Sequence, residues 1–342
     1  MKRQTIKDVA KAAGVSAAAV SYAINGKEHK VSAETLEKIK DAMSELNYVP
    51  NYSARSLVNN RSNLIGIVIP QTEDMNHPLL ENPFYSEIIS GIEAELRNRG
   101  YHFILSGVNK GKSYLDTSMQ RNLDGAIIMG IYHESFYEEL KEINIPMVLI
   151  DSYIHDSYFR NIGIDDEEGG FMATRYLIGK GHSNIALATG MIKKDGVVEK
   201  RFLGYKRALK EAKLFYRPEF VYEGTMSYEY GVEAGRLIGE KHPEITAVFA
   251  TSDMMALGVI TGLSECGKRV PEDVSVIGFD DIAISKIFIP KLTTIKQNIT
   301  RKGIKAAECL LDAMNGEDAE LPKEIILPLE IVERNSVRDI SE

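Results

Sequence analysis

The sequence predicts two architectures in one chain: a short all-α module at the amino terminus and, behind it, an α/β body of two doubly wound parallel-sheet lobes. Three observations predict this. Over the first 46 residues, apolar side chains recur at helical spacing between good capping residues. From Leu64 onward the pattern changes to short apolar runs separated by amphipathic segments of roughly 10–16 residues, as βα units require. Those runs fall into two successive series, one for each lobe.

In the first module, Thr5-Ile6-Lys7-Asp8 fits a capping box, and Ile6, Val9, Ala10 and Ala13 then fall on one helix face. Gly14 permits a tight turn, Val15 is an apolar plug, and Ser16 is the N-cap of a second helix that turns Val20, Ala23 and Ile24 inward. Ser32 caps a third helix burying Leu36, Ile39, Met43 and Leu46. The order helix, short glycine turn, helix is that of a helix-turn-helix, in which outward positions early in the second helix reach base edges in the major groove. Those positions are Ala17, Ala18, Ser21 and Tyr22. The alanines suit a thymine methyl, Tyr22 carries most of the hydrogen-bonded readout, and Ser16, Ser21 and Asn25 suit phosphates or nearby edges. A plain three-helix bundle that packs on a partner would share the same core pattern.

Charge separates the two parts. The net charge is −8 over 342 residues, yet residues 1–62 carry +4 and residues 63–342 carry −12. A basic module on an acidic carrier can neutralise phosphates locally without coating nucleic acid indiscriminately. With 44% hydrophobic and 26% charged residues, the chain is neither fibrous nor disordered. Two cysteines, Cys266 and Cys309, exclude a disulfide framework and a four-cysteine metal site. No apolar run approaches the roughly 18 residues of a membrane span, and the start lacks the apolar core of a secretory signal, so a cytoplasmic location is expected.

The stretch TIKDVAKAAGVSAAAVSYAING, continued by VSAETLEKIKDAMSELNYVPNYSARSLVNNRSNLIGIVIP, resembles the DNA-binding headpiece of LacI/GalR-family transcription regulators over about 70 residues. The resemblance adds Thr5 to the DNA contacts. It also gives meaning to residues 50–57, which look like the family's hinge helix, so that Asn51, Ala54, Arg55 and Leu57 are expected at the minor groove. Leu57 stands where such proteins wedge a central base step. An exposed leucine beside Arg55 with no local core is suited to that use, although it could also pack on the carrier.

In the carrier, strands are expected at 64–70, 101–106, 125–130, 145–151, 184–190, 246–253 and 274–281, with helices at 199–212, 228–240 and 253–266. Ligands in such folds bind beyond the carboxyl ends of the strands. There the chain offers Asp151, Ser252, Asp253 and Asp280, with Arg201 opening a helix and the aromatic pair Phe84 and Tyr85 after the first strand. Carboxylates and a guanidinium suit a polyhydroxy ligand and aromatics suit a sugar face, while each acid taken singly could instead be a helix cap or a salt bridge; Asp253 could cap the helix starting at Met254. NPFYSEIISGIE, GIDDEEGGFMATRYLIGKGHSNIALATG, RFLGYKRAL, TSDMMALGVI, VPEDVSVIGFDDI and LTTIKQNI extend the resemblance to the family's effector-binding core, which is similar to periplasmic sugar-binding proteins.

That resemblance implies an effector site of Phe84, Tyr85, Asp151, Arg201, Met226, Ser252 and Asp280, to which the strand ends add Asp253. Ser252 stands where many members have Asn and Met226 where an aromatic is common. Segment 71–83 is longer than usual and 107–123 shorter, which leaves the ligand's identity open. It further implies a headpiece at 1–49, a hinge and linker at 50–62, and a two-lobed core at 63–342, with lobe one about 63–161 and 292–320 and lobe two about 162–291 and 321–336.

Enzyme chemistry finds little footing. Residues 107–113 read G-x-x-x-G-K-S, one residue short of a phosphate loop. The seven histidines include no H-x-x-x-H pair, and no G-x-S-x-G elbow exists. Asp280 and Asp281, adjacent on an extended strand, face opposite ways and cannot flank one glycosidic bond. The expected protein is a sequence-specific repressor without cofactor or metal. It is expected to act as a homodimer on palindromic double-stranded operator DNA, with no appended heptad helix for a coiled-coil tetramer. A small molecule, a sugar before a nucleobase, controls it from between the lobes; a protein co-regulator is a further possible partner. The alternative is a sugar-binding protein or enzyme with no DNA-binding role.

Overall fold

The three helices of the amino-terminal unit begin where their caps dictate. In the computed structural model, which describes residues 4–49, 61–70, 78–108, 123–130, 136–153, 158–317, 320 and 322–341, α1 spans Ile6–Ala13, α2 Ala17–Ile24 and α3 Ala33–Glu45. Thr5 and Asp8 form the reciprocal capping box, Ser16 and Ser32 cap the other two helices, and Gly14 closes α1 in the left-handed region at φ 66°. Val9, Ala10, Val20, Ile39 and Ala42 are buried together. So small a core is stable only because all three helices share it.

The second unit starts at Leu64. Its first lobe contains β1 (Leu64–Pro70), α4 (Pro83–Asn98), β2 (His102–Val108), β3 (Gly125–Met129), α5 (Phe136–Glu142), β4 (Met147–Ile150) and β5 (Arg160–Ile164). The second contains α6 (Asp166–Gly179), β6 (Ile185–Gly190), α7 (Val197–Glu211), β7 (Val221–Gly224), α8 (Tyr228–Lys241), β8 (Ala247–Ala250), α9 (Asp253–Glu265) and β9 (Ser275–Asp280). The chain ends with β10 (Thr293–Lys296), α10 (Ile299–Asn315), β11 (Glu324–Leu327) and β12 (Glu330–Val332). Strand order is β11-β5-β4-β3-β1-β2 in one sheet and β12-β10-β9-β8-β6-β7 in the other. All pairings are parallel except β10 with β12. Strands β3, β4, β6, β8 and β9 are buried along their whole length, because helices cover both faces.

All seven expected runs are strands. The lobe exchange points differ from expectation: β5 continues in the first sheet to Ile164, β10 joins the second sheet and β11 returns to the first. The chain therefore changes lobe near 165, 297–298 and 328–329 instead of 161, 291 and 320. At these crossings β11 and β12 are half-exposed, and the buried β5 (RNIGI) and β10 (TTIK) are interrupted by polar residues, so no apolar run announces any of them.

Glycines set the closest helix approaches. A Cβ on Gly204 of α7 would lie 2.0 Å from the Glu167 carbonyl oxygen, and one on Gly170 of α6 would lie 2.2 Å from that of Arg201. This crossing brings the amino-terminal turns of α6 and α7 together. Gly204→Ala has no flexible neighbour to displace, so it should destabilise the body by about 2 kcal/mol or more through forced helix separation. Thermal unfolding of the variant tests this; an unchanged midpoint would mean that the helices can part freely.

Candidate functional site

Each unit carries one group of the expected site residues. On α2, Ala17, Ala18 and Tyr22 are exposed while Val20 is buried, and the Lys30 ammonium stands 5.2 Å from the Tyr22 ring centroid. The Ser16 hydroxyl accepts from the Ala19 amide at 3.1 Å, and Thr5 is engaged with Asp8, so both shape helix starts. The Asn25 amide donates to the Ser21 carbonyl at 2.8 Å and to the Ser21 hydroxyl at 3.2 Å, closing the helix end. Asn51, Ala54, Arg55 and Leu57 lie outside the described residues, as does the glycine-rich loop beyond Val108.

In the body a cavity of about 160 Å³ opens beyond the carboxyl ends of the central strands of both sheets. Seven of the eight expected effector residues line it: Phe84, Tyr85, Asp151, Arg201, Met226, Ser252 and Asp280. Asn82 accepts from the Phe84 amide and Pro83 opens α4, which presents the two rings edge to face with centroids 5.5 Å apart. Asp151 and Asp280 take positive φ, 53° and 122°, as they leave β4 and β9. Such backbone is held only where its surroundings fix it, and it turns both carboxylates out of their strands.

Behind this lining lies a set of polar groups that sequence reasoning missed. Arg201 Nε donates to Asp166 at 2.7 Å, its Nη1 donates to the Thr251 carbonyl at 2.5 Å and lies 3.8 Å from Asp280, and its guanidinium stacks 3.6 Å from the Phe279 ring centroid. The fully buried Lys302 of α10 donates to both oxygens of Asp151, at 2.7 and 2.9 Å, and to Gln297 at 2.6 Å. Gln297 in turn donates to Asp280 at 2.5 Å, and Tyr153 donates to Asp166 at 2.5 Å. A signal for Lys302 was present in the sequence: it falls on the apolar face of α10 with Ile299, Ala306 and Leu310, where a cation demands a buried partner.

A model of the periplasmic binding protein-like domain matches residues 174–337, and one of the lacI family of bacterial regulatory proteins matches residues 5–51. The HTH-type transcriptional repressor PurR of Vibrio atlanticus is 39% identical over 346 residues, spanning 98% of this chain and 99% of that protein. The chain belongs to the LacI family. The PurR of Actinobacillus pleuropneumoniae is 37% identical over 345 residues, again 98% and 99% of the two chains. Among solved structures, the lac repressor dimer bound to operator and the anti-inducer ONPF superposes with a TM-score of 0.85 at 28% identity, over 98% of this chain and 100% of that one. The CelR–cellobiose complex gives 0.71 at 32%, over 98% and 100%. A ribose-bound LacI family regulator from Enterococcus faecium gives 0.71 at 30%, over 81% and 99%.

As a LacI family member the protein is a DNA-binding transcriptional repressor whose core takes a small-molecule effector. Its relatives are named as regulators, not enzymes. No helix among the described residues is long and apolar enough to cross a membrane. Asp253 departs from the expected effector set. It does not line the cavity, nor does it cap α9, which Ser252 does by accepting from the Met255 amide. Its buried carboxylate accepts from the Ile282 amide (3.0 Å), Ser285 (2.7 Å) and Thr294 (2.5 Å), pinning α9 to β10 and to the segment after β9. Burial, then the nearby Asp280 charge, pushes its pKa well up. Asp281 points elsewhere than its neighbour, onto Arg334 at 2.5 Å.

Burial also pushes Asp280 up to about 6, against the pull of Arg201, Gln297 and Lys302. Between about pH 4 and 6 the folded protein then holds a proton that the unfolded chain has lost, so this group's contribution to stability falls as pH rises and levels off above 6. Asp280→Asn has no such proton. Its stability relative to wild type, from urea unfolding at several pH values, should rise by up to about 3 kcal/mol across that window and then stay flat. A constant difference would mean that Asp280 is ionised throughout.

Proposed function

We propose that this repressor acts as a homodimer on a palindromic operator and is controlled by a neutral sugar bound between the lobes. The observation that carries the sugar reading is the cavity's chemistry. Asp151 and Asp280 accept from opposite lobes, Arg201 keeps Nη2 without a protein hydrogen bond among the described residues, and Phe84 with Tyr85 supplies an aromatic wall. Hydroxyls need acceptors and a donor fork at fixed places, and a sugar's C–H face needs an aromatic surface. Structural neighbours that hold cellobiose and ribose support the same reading.

Binding across the cleft favours one arrangement of the lobes, and the first lobe begins at Leu64, directly after the DNA-binding unit. The effector acts only through its different affinity for the two arrangements, of order 1–3 kcal/mol. On the DNA side, Ala17, Ala18 and Tyr22 face base edges and Leu57 enters the minor groove. The exposed apolar side chains Ile287 and Ile289, 75% and 87% accessible, support a self-association surface on the body.

The test is titration of the protein on DNA upstream of its own gene, with a panel of sugars and purines at fixed salt. Two chains per operator and release or tightening by one sugar are expected. A purine response would replace the sugar reading, one chain per operator would remove the dimer, and no specific binding would remove that stretch of DNA as its target. Tyr22→Ala should change which operator bases matter, with a loss of about 1–3 kcal/mol confined to a few positions. A uniform loss across all sequences would demote Tyr22 to a phosphate contact.

A further inference from the structure

Lys302, like Asp166 and Asp253, stands behind the cavity wall and does not line it, and it is the more completely buried of the two cations Arg201 and Lys302. Its three donors are all used, two on Asp151 and one on Gln297. The groups facing it are few. From β4 comes Asp151, from α4 the Phe84 ring at 5.9 Å, and from the lobe crossing Gln297, which carries the contact on to Asp280. Arg201 and Asp166 lie further along the same chain of contacts. The charge of β5, Arg160, acts on Cys309, two turns further along α10.

The arithmetic of charge around the cavity turns on this lysine. On the second lobe Arg201 is shared between Asp166 and Asp280, 3.8 Å away, which leaves one net negative charge there; on the first lobe Lys302 is the cation that meets Asp151, so the set carries one net negative charge with this lysine and two without it. We propose that Lys302 is the specificity-determining group of the effector site: by cancelling Asp151 from behind, it makes the cavity favour uncharged hydroxyl-bearing effectors over cationic ones. Each Asp151 oxygen keeps a lone pair for a hydroxyl, but the negative charge that would draw an amine is already met. The ammonium also fixes the carboxylate's orientation and, through Gln297, that of Asp280, so both acceptors are set before a ligand arrives. Burial raises the Asp151 pKa, and Lys302 is the largest influence opposing that rise.

This inference rests on the sugar reading for its ligand class, but its central claim can be tested without any effector. In Lys302→Met the ammonium is gone and the side-chain length is kept. The unpaired Asp151 should then retain a proton to higher pH. Stability relative to wild type, measured on the full chain by urea unfolding, should fall as pH rises above the usual carboxylate range. Adding Asp151→Asn should remove both the loss and its slope; folding of the double variant where the single one fails supports the proposal equally. Equal loss in single and double variants would overturn it, because the volume of Lys302 and not its charge would then matter. Calorimetry with ribose, glucose, cellobiose and glucosamine reads the selectivity. Lys302→Met should shift the affinity ratio of amino to neutral sugar at least tenfold toward the amine, and an unchanged ratio would overturn the specificity role. If none of these sugars binds wild type, the sugar reading falls while the unfolding series still decides what Lys302 does.

Discussion

Two cations and three carboxylates are buried at the junction of the two lobes, and the rest of the body is arranged so that each keeps an oppositely charged or hydrogen-bonding partner. Removing one partner from such a set costs about 3–5 kcal/mol, because the remaining charge has no water to return to. Arg201 therefore needs Asp166, and Asp166 needs the amino-terminal end of α6, where the helix dipole and the Tyr153 hydroxyl also favour its charge. Asp151 needs Lys302, and Lys302 needs α10 packed against the first sheet although the strand before it, β10, belongs to the second. The lobe crossings are thus the means by which one lobe's charges reach the other's.

Close helix packing makes that arrangement possible. Arg201 can reach Asp166 only because Gly170 and Gly204 let α6 and α7 cross with backbones in contact; a larger residue on either helix would lengthen the 2.7 Å bond. The glycines Gly91 and Gly303 do the same for α4 and α10, which carry Phe84 and Lys302. Small residues at the crossings therefore govern the geometry of large charged residues a turn or two away. Packed helices shift as rigid units, so a ligand that draws the two acceptors together must move whole elements and not single side chains.

Elements whose pattern is local were readable in the sequence. Caps at Thr5, Ser16 and Ser32 and the apolar runs of the seven main strands depend on neighbours in the chain, and each formed where its residues indicated. The rule that ligands bind beyond the carboxyl ends of the strands pointed to Asp151, Ser252 and Asp280, while family resemblance supplied Met226, which no local pattern singles out. What stayed hidden depends on pairing across long stretches of chain. Gln297 and Lys302 acquire their roles from Asp280 and Asp151, 17 and 151 residues away. Asp253 was misplaced for the same reason: beside Ser252 it reads as a cap or a ligand group, and only the arrival of Thr294 and Ser285 reveals it as an internal pin.

Division of charge between the two units completes the physical logic. The basic module gains affinity for any DNA through phosphates, while the acidic body is repelled by it, so binding depends on the module engaging its groove closely enough to outweigh that repulsion. A carrier with a net charge of −12 over residues 63–342 cannot cling to the duplex by itself. Small changes in how the modules are presented then count for more than they would on a neutral carrier. A coupling of only 1–3 kcal/mol from a cavity of about 160 Å³ corresponds to a roughly 5- to 150-fold change in operator affinity. That is a useful regulatory range because the electrostatic background holds nonspecific binding low.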